Sequence, residues 1–367
     1  MRTAVISDLH LGVGSRRDLA RSGLARERLL TRIGEADRLV LLGDSVELRE
    51  RPVAISLELV RPFFEALGEA VSGRRVVIVP GNHDHGLGGP WLSRARLDGE
   101  PLEREREWPV DSGDGVAGRL RSWMPEAEVT IAYPGLWLRE DVYATHGHYL
   151  DLHLTVPRLE SIAASLMGRV TGRGRNCRSV PDYEAVLAPM YAFHAELAQG
   201  ASRTVLARGG HISRGVWRRV STSRSDGRGA TAARFLLGSV TIPAAVLALN
   251  RLGFGPFNAE LTGEELRRAG LLAMARVADA LAPEAEHVVF GHTHRPGPLG
   301  ADDEAEWTTR AGTRLWNSGS WFLESVLTDG AHDSPYWPGT ILWLEDGQEP
   351  RLDNALRDLP GRDVVPR

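Results

Sequence analysis

The sequence contains no lysine, so arginine carries all of its basic side-chain charge, and it contains a single cysteine, Cys177. One thiol forms no intramolecular disulfide and cannot build a thiolate zinc site, so any bound metal falls to His, Asp, Asn or Glu. An excess of one charge sign is also missing. The formal net charge of -4 argues against a surface given over as a whole to nucleic acid. The longest apolar run, residues 235–249, is interrupted by Pro243 and falls short of the roughly 20 residues that span a bilayer. The opening MRTAVISDLH lacks the apolar run and small-residue cleavage site of a secretory signal, so a cytoplasmic address is expected. What is present, 42% apolar and 25% charged residues over 367 positions, is the balance of a globular chain with one large core or two modest ones.

Along the chain, short apolar runs end abruptly at polar residues. Residues 3–6 stop at Ser7-Asp8, residues 39–42 at Gly43-Asp44, and residues 76–79 at Pro80-Gly81-Asn82. Continuous apolar runs of this length predict strands buried on both faces. Between them, residues 16–35 and 53–71 repeat their apolar positions at three- and four-residue steps, which predicts helices and a βαβαβ order. Residues 142–145, 288–290 and 314–316 continue the strand pattern before His146, Gly291-His292 and Asn317, and residues 340–344 predict a final strand. Residues 157–167, 182–197 and 264–281 have helical periodicity, and the span from His146 to Gly291 is far too long for a loop. It predicts an inserted helical subdomain. The charged segments 98–116 and 300–310 predict solvated excursions, and the tail after Gly347 a loosely held polar end.

The polar residues at those strand ends form five short blocks: Asp8-Leu9-His10, Gly43-Asp44-Ser45-Val46-Glu47, Gly81-Asn82-His83-Asp84, Thr145-His146-Gly147-His148 and Gly291-His292-Thr293-His294. In open α/β sheets ligands bind beyond the carboxyl ends of the strands, so the blocks are expected to meet at one edge. They are rich in nitrogen and oxygen ligands. In an extended segment residues two apart point the same way, so Asp8 and His10 can grip one ion together. Two neighbouring ions need a shared anion, and a single Asp with one oxygen on each would serve. Any one of these histidines alone reads equally well as a structural hydrogen-bonding residue; the ordered set does not.

In this order the five blocks resemble those of the calcineurin-like metallophosphoesterases, over roughly residues 1–150 and 285–325. The resemblance implies a four-layer αββα sandwich, two mixed β-sheets flanked by helices, with an inserted helical cap. The expected division is a first core part at 1–149, the cap at 150–285, a second core part at 286–346 and a polar tail at 347–367. It further implies that Asp8, His10, Asp44 and His294 hold one divalent ion and Asp44, Asn82, His146 and His292 the other. His83 would then act as general acid, or as donor to the charge developing on the leaving oxygen, with Asp84 orienting its ring. The implied activity is hydrolysis of a phosphate ester or anhydride by a hydroxide held between the ions. The mixed ligand set suits Mn, with Fe or Zn as alternatives, better than Ca. Glu47 stands where the family more usually has Asp, and neither is expected to bind metal.

His148 and Arg295 are candidates for substrate contact, against local packing for the first and a surface ion pair for the second. His85 and His153 read as loop and packing residues. The position of the helical insertion resembles that in UDP-2,3-diacylglucosamine pyrophosphohydrolases, which have Arg where His83 stands here. Between Arg203 and Arg234 there are eight arginines against one acid, Asp226, and the apolar run follows at once. Residues 203–249 therefore suit a lipid-linked or other anionic amphiphilic substrate, or peripheral contact with the inner face of a membrane. A solvated loop leading into a buried cap helix is the plainer account. Two further readings keep the fold: a nuclease, disfavoured by sparse aromatics among those arginines, and a non-catalytic scaffold, disfavoured by the complete ligand set.

Overall fold

The computed structural model describes residues 1–200, 242–258, 262–328, 331–359 and 364. Among them, β1 (Arg2–Ile6), β2 (Arg38–Leu42), β3 (Arg75–Val79), β4 (Arg106–Pro109), β5 (Glu128–Tyr133), β10 (Thr340–Glu345) and β11 (Arg351–Asn354) form one sheet in the order β11-β10-β1-β2-β3-β5-β4. A second sheet takes β6 (Gly135–Arg139), β7 (Val142–Thr145), β8 (His287–Phe290) and β9 (Arg314–Asn317) in sequence order. Both sheets are mixed. β1, β2, β3 and β5 run parallel, as do β7, β8 and β9, while β4, β6, β10 and β11 pair antiparallel with their neighbours.

Alternation along the strands sorts their side chains into layers. Val5, Val40, Leu42, Val77 and Val79 of the first sheet meet Leu136, Val142, Ala144, Val289 and Trp316 of the second in one inter-sheet layer. The opposite faces of the first sheet, Ala4, Ile6, Leu39, Leu41, Val76 and Ile78, lie against α1 (Gly23–Ile33), α2 (Val53–Ala70), α3 (Gly89–Leu97) and α4 (Gly115–Ser122). The opposite faces of the second, Tyr143, Val288, Phe290 and Leu315, lie against α5 (Leu159–Val170), α6 (Val180–Gly200) and residues of α8 (Gly263–Leu281). Helix, sheet, sheet, helix is the expected four-layer order. α7 (Ile242–Arg251) precedes α8, whose start is capped by the Thr262 hydroxyl accepting from the Glu265 amide at 3.1 Å.

Three expectations fail, each because a charged segment hides a single buried face. Within 98–116, β4 adds an edge strand whose Trp108 stacks on Trp91 at 6.2 Å. Within 300–310, Trp307 is buried in the second helical layer. The tail after Gly347 supplies β11 and then buries Leu356, Leu359 and Val364 in the first helical layer. Of the basic and apolar stretch 203–249, residues 203–241 lie outside the described residues. No described helix is long and apolar enough to cross a membrane.

Candidate metal centre

The five blocks sit at the carboxyl ends of β1, β2, β3, β7 and β8, and backbone hydrogen bonds cross-tie them. The amides of Asp8 and His10 donate to the carbonyls of Gly43 and Asp44 at 3.0 and 2.8 Å. The His292 amide donates to Asp8 Oδ2 at 3.0 Å, which pins a loop of the second sheet on one of the first, and the Gly291 amide donates to the His146 carbonyl at 3.0 Å within the second sheet. Gly43 is obligatory: its φ is +85°, and a Cβ there would collide with the His146 ring.

Backbone strain concentrates here. Asp8, His10, Asp44, His292 and His294 have φ of 53°, 45°, 51°, 64° and 63°, and Arg16 is the sixth described non-glycine residue with positive φ. Such conformations cost of order 1–3 kcal/mol each and persist where the surroundings over-determine them. Glycine would relieve the strain at all five; the ligand side chain is what glycine would forfeit. The extended geometry expected for Asp8 and His10 is thus replaced by left-handed turns that bring both side chains to one point.

The expected carboxylate and histidine ligands fall into two sets. Asp8, His10 and His294 converge, with His294 Nε2 at 3.2 Å from Asp8 Oδ1 and His10 Nε2 at 3.2 Å from His294 Nε2. Asp44, His146 and His292 form the other set, His146 Nε2 standing 3.3 Å from Asp44 Oδ2. The same Asp44 oxygen is 3.8 Å from His10 Nε2, so this carboxylate faces both sets.

Three observations fit divalent ions. Asp8 Oδ1 is buried without a hydrogen-bond partner. The Asn82 oxygen faces Asp44 Oδ2 at 3.3 Å and His292 Nδ1 at 3.1 Å, an acceptor-only arrangement that hydrogen bonding alone would reverse and a cation would hold. The ring nitrogens pointing away from the cluster are mostly occupied: His146 Nδ1 lies 2.9 Å from the Leu42 carbonyl and His292 Nε2 3.0 Å from Asp151 Oδ1. Partners of this kind fix ring orientation and leave the other nitrogen for metal. Asp151 escaped the sequence reading; it follows the fourth block by a few residues, but nothing in the sequence marks His292, 141 positions on, as its partner.

His83 donates its amide to Asp44 Oδ1 at 2.8 Å and sets its Nδ1 2.7 Å from Glu47 Oε2. Glu47, not Asp84, therefore orients the catalytic candidate. Burial would push the Glu47 carboxyl up, yet the His83 and His10 rings hold it well below the usual carboxylate range. Asp84 instead accepts the amides of Asp44, Ser45, Val46 and Gly81 at 3.2, 2.7, 3.3 and 2.7 Å. It is the clamp of the Asp44 turn. The two adjacent side chains part because residue 83 faces the cluster and residue 84 the loop beneath it.

At both candidates for substrate contact the structure shows the alternative, an ion pair for Arg295, buried instead of on the surface, and local packing for His148. Arg295 is buried, with a bidentate ion pair to Asp302 at 2.7 and 2.6 Å and a third bond to the Pro296 carbonyl, so its fork is already filled. His148 is 1% exposed and walled in by Tyr133, Tyr149, Tyr191 and His146. Burial holds its ring well below the ordinary imidazole value. His85 packs between Tyr133 and Tyr191, and His153 bonds the Tyr183 hydroxyl at 2.7 Å.

Although burial opposes it, Glu47, Asp44 and Asp8 raise His10 to about 9, and Asp44 and Asp8 raise His146 to about 10. In the ion-free protein both rings are then protonated at pH 7, and their charged forms stabilise the fold below the unfolded value of about 6.5, a contribution lost as pH climbs through 9 to 10. Metal needs them neutral. Mn binding at pH 7 is therefore expected to release protons and to tighten as pH rises from 6 to 9, measured by titration calorimetry in buffers of different ionisation enthalpy. Binding with no proton release would contradict this arrangement.

Residues 1–182 match the family model of calcineurin-like phosphoesterases, a stretch that holds the first four of the five blocks. No curated protein matches the chain.

Proposed function

We infer that this chain, as a calcineurin-like phosphoesterase, is a metal-dependent hydrolase of phosphate esters or anhydrides that works with a pair of divalent ions. The observation that carries this reading is the Asp44 carboxylate, whose Oδ2 lies 3.8 Å from His10 Nε2 and 3.3 Å from His146 Nε2, between two otherwise separate ligand sets. Asp8, His10 and His294 would hold one ion with Asp44, and Asn82, His146 and His292 the other. Two bound ions would supply a nucleophile at neutral pH and polarise the phosphoryl group for in-line displacement. The chain's own part is positioning and proton transfer. Glu47 holds His83 through Nδ1, so a proton passes to a leaving oxygen through Nε2. Asp84 keeps the Asp44 turn in place, and Asp151 keeps His292 turned to the cluster.

The inserted segment 150–285 contributes α5, α6 and α8 to the outer layer of the second sheet, and α6 carries His194 to Arg49 beside the cluster. A substrate with an apolar portion is supported by large apolar side chains left in solvent on this segment, with Phe193, Leu247 and Leu252 at 63, 50 and 62% exposure. The same exposed side chains would serve peripheral contact with a membrane.

The purified chain supplied with Mn, Fe or Zn is expected to hydrolyse at least one of a phosphomonoester, a phosphodiester and a pyrophosphate reporter, with loss in chelator and recovery on adding metal back. A protein that binds two ions and cleaves none of the three is a scaffold. Cleavage confined to DNA or RNA would move the assignment to a nuclease.

A further inference from the structure

Arg49 ends the second block's loop with its guanidinium between the cluster and α6. Its Nη2 is 3.0 Å from His194 Nδ1, and its Nη1 is 2.9 Å from the Asn82 amide. A guanidinium is always a donor, so the contact makes His194 Nδ1 the acceptor and places the ring proton on Nε2. Burial, then the Arg49 charge, lowers His194 to about 4, which keeps the ring in that neutral form.

The other corner of the fork is the telling one. With the Asn82 oxygen turned to Asp44 and His292, its NH2 faces Arg49 Nη1, donor against donor. An ion that takes the Asn82 oxygen fixes the amide in this orientation. That corner of Arg49, in contact with the candidate ligand Asn82, then finds no acceptor in it. Both protein groups facing the fork's terminal nitrogens are neutral, an imidazole and an amide. Glu160, which senses Arg49, His83 and first of all Arg158, is held down to about 2 against its burial, so the four side chains share one neighbourhood.

We propose that Arg49 of the core and His194 of α6 form an anion subsite that takes a phosphoryl oxygen of the substrate, the guanidinium as charged donor and His194 as the group that aims it. The proposal rests on the phosphohydrolase reading and deepens it, because it brings the inserted segment into substrate recognition.

Inorganic phosphate is the probe, titrated by calorimetry into the full chain loaded with Mn. Arg49→Gln is expected to weaken phosphate binding roughly 10- to 100-fold, the range of a charge-assisted hydrogen bond. His194→Ala should weaken it by a smaller factor, and His194→Gln, which can accept from Arg49 and keep a donor, should restore most of the loss. Mn stoichiometry, measured in parallel, should stay at two in the His194 variants, and KM for a reporter should rise more than kcat falls. Wild-type affinity for phosphate in both Arg49→Gln and His194→Ala overturns the subsite while leaving the phosphohydrolase standing. Failure of the Mn-loaded wild-type chain to bind phosphate at all overturns both.

Discussion

Asp44→Asn is expected to lower hydrolysis at least roughly 1,000-fold, about 4 kcal/mol of transition-state stabilisation, while the protein stays folded. Asp44 Oδ1 accepts the His83 amide at 2.8 Å, a bond that an asparagine oxygen can keep, so the turn survives. The negative charge does not. Oδ2 is the oxygen facing His10 on one side and His146 on the other, and an amide whose one oxygen stays on the His83 amide turns its NH2 to both. Bound Mn should fall from two ions per chain to one, read by elemental analysis after gel filtration. Near wild-type turnover with two ions in place would remove Asp44 from the centre of the mechanism.

His83→Ala should cost between about 100- and 10,000-fold in kcat, the usual span for a positioned acid, but not equally for every substrate. A leaving group as acidic as p-nitrophenol departs without a proton, so its hydrolysis should suffer least, and an alkyl phosphate ester most. The ratio between the two substrates is the readout, since misplaced metals would slow both alike. Glu47→Gln should reproduce the trend in weaker form, because the ring would lose its carboxylate partner at 2.7 Å and keep its place beside Asp44. Equal losses on both substrates would mean that His83 shapes the cluster instead of moving a proton.

How much of this was legible in the sequence depended on how many faces of a segment are buried. β1, β2 and β3 lie in the middle of the first sheet with apolar residues on both sides, and their runs stood out. β4 and β11 are edge strands with charged outer positions and read as solvated chain. The ligand blocks were legible for another reason: buried strands cut off by Asp, Asn and His are costly unless something uses them. Pairings across long separations were not. Asp84 follows His83 directly and looked like its partner, whereas Glu47, 36 positions upstream, holds the ring. Arg295 read equally as a substrate fork or a surface ion pair, because nothing in the sequence ties it to Asp302. The left-handed backbone at the ligand positions was likewise invisible, since Asp and His carry no mark of it.

α6 is fastened at three heights: Glu184 receives the hydroxyls of Tyr133 and Tyr149 at 2.7 and 2.6 Å, His194 meets Arg49, and Gln199 takes the Val53 amide at 3.3 Å. A rod bolted along its length is a door jamb, not a door. A substrate enlarged on the His194 side of the cluster is therefore expected to be hydrolysed more slowly, because these contacts hold α6 against the core.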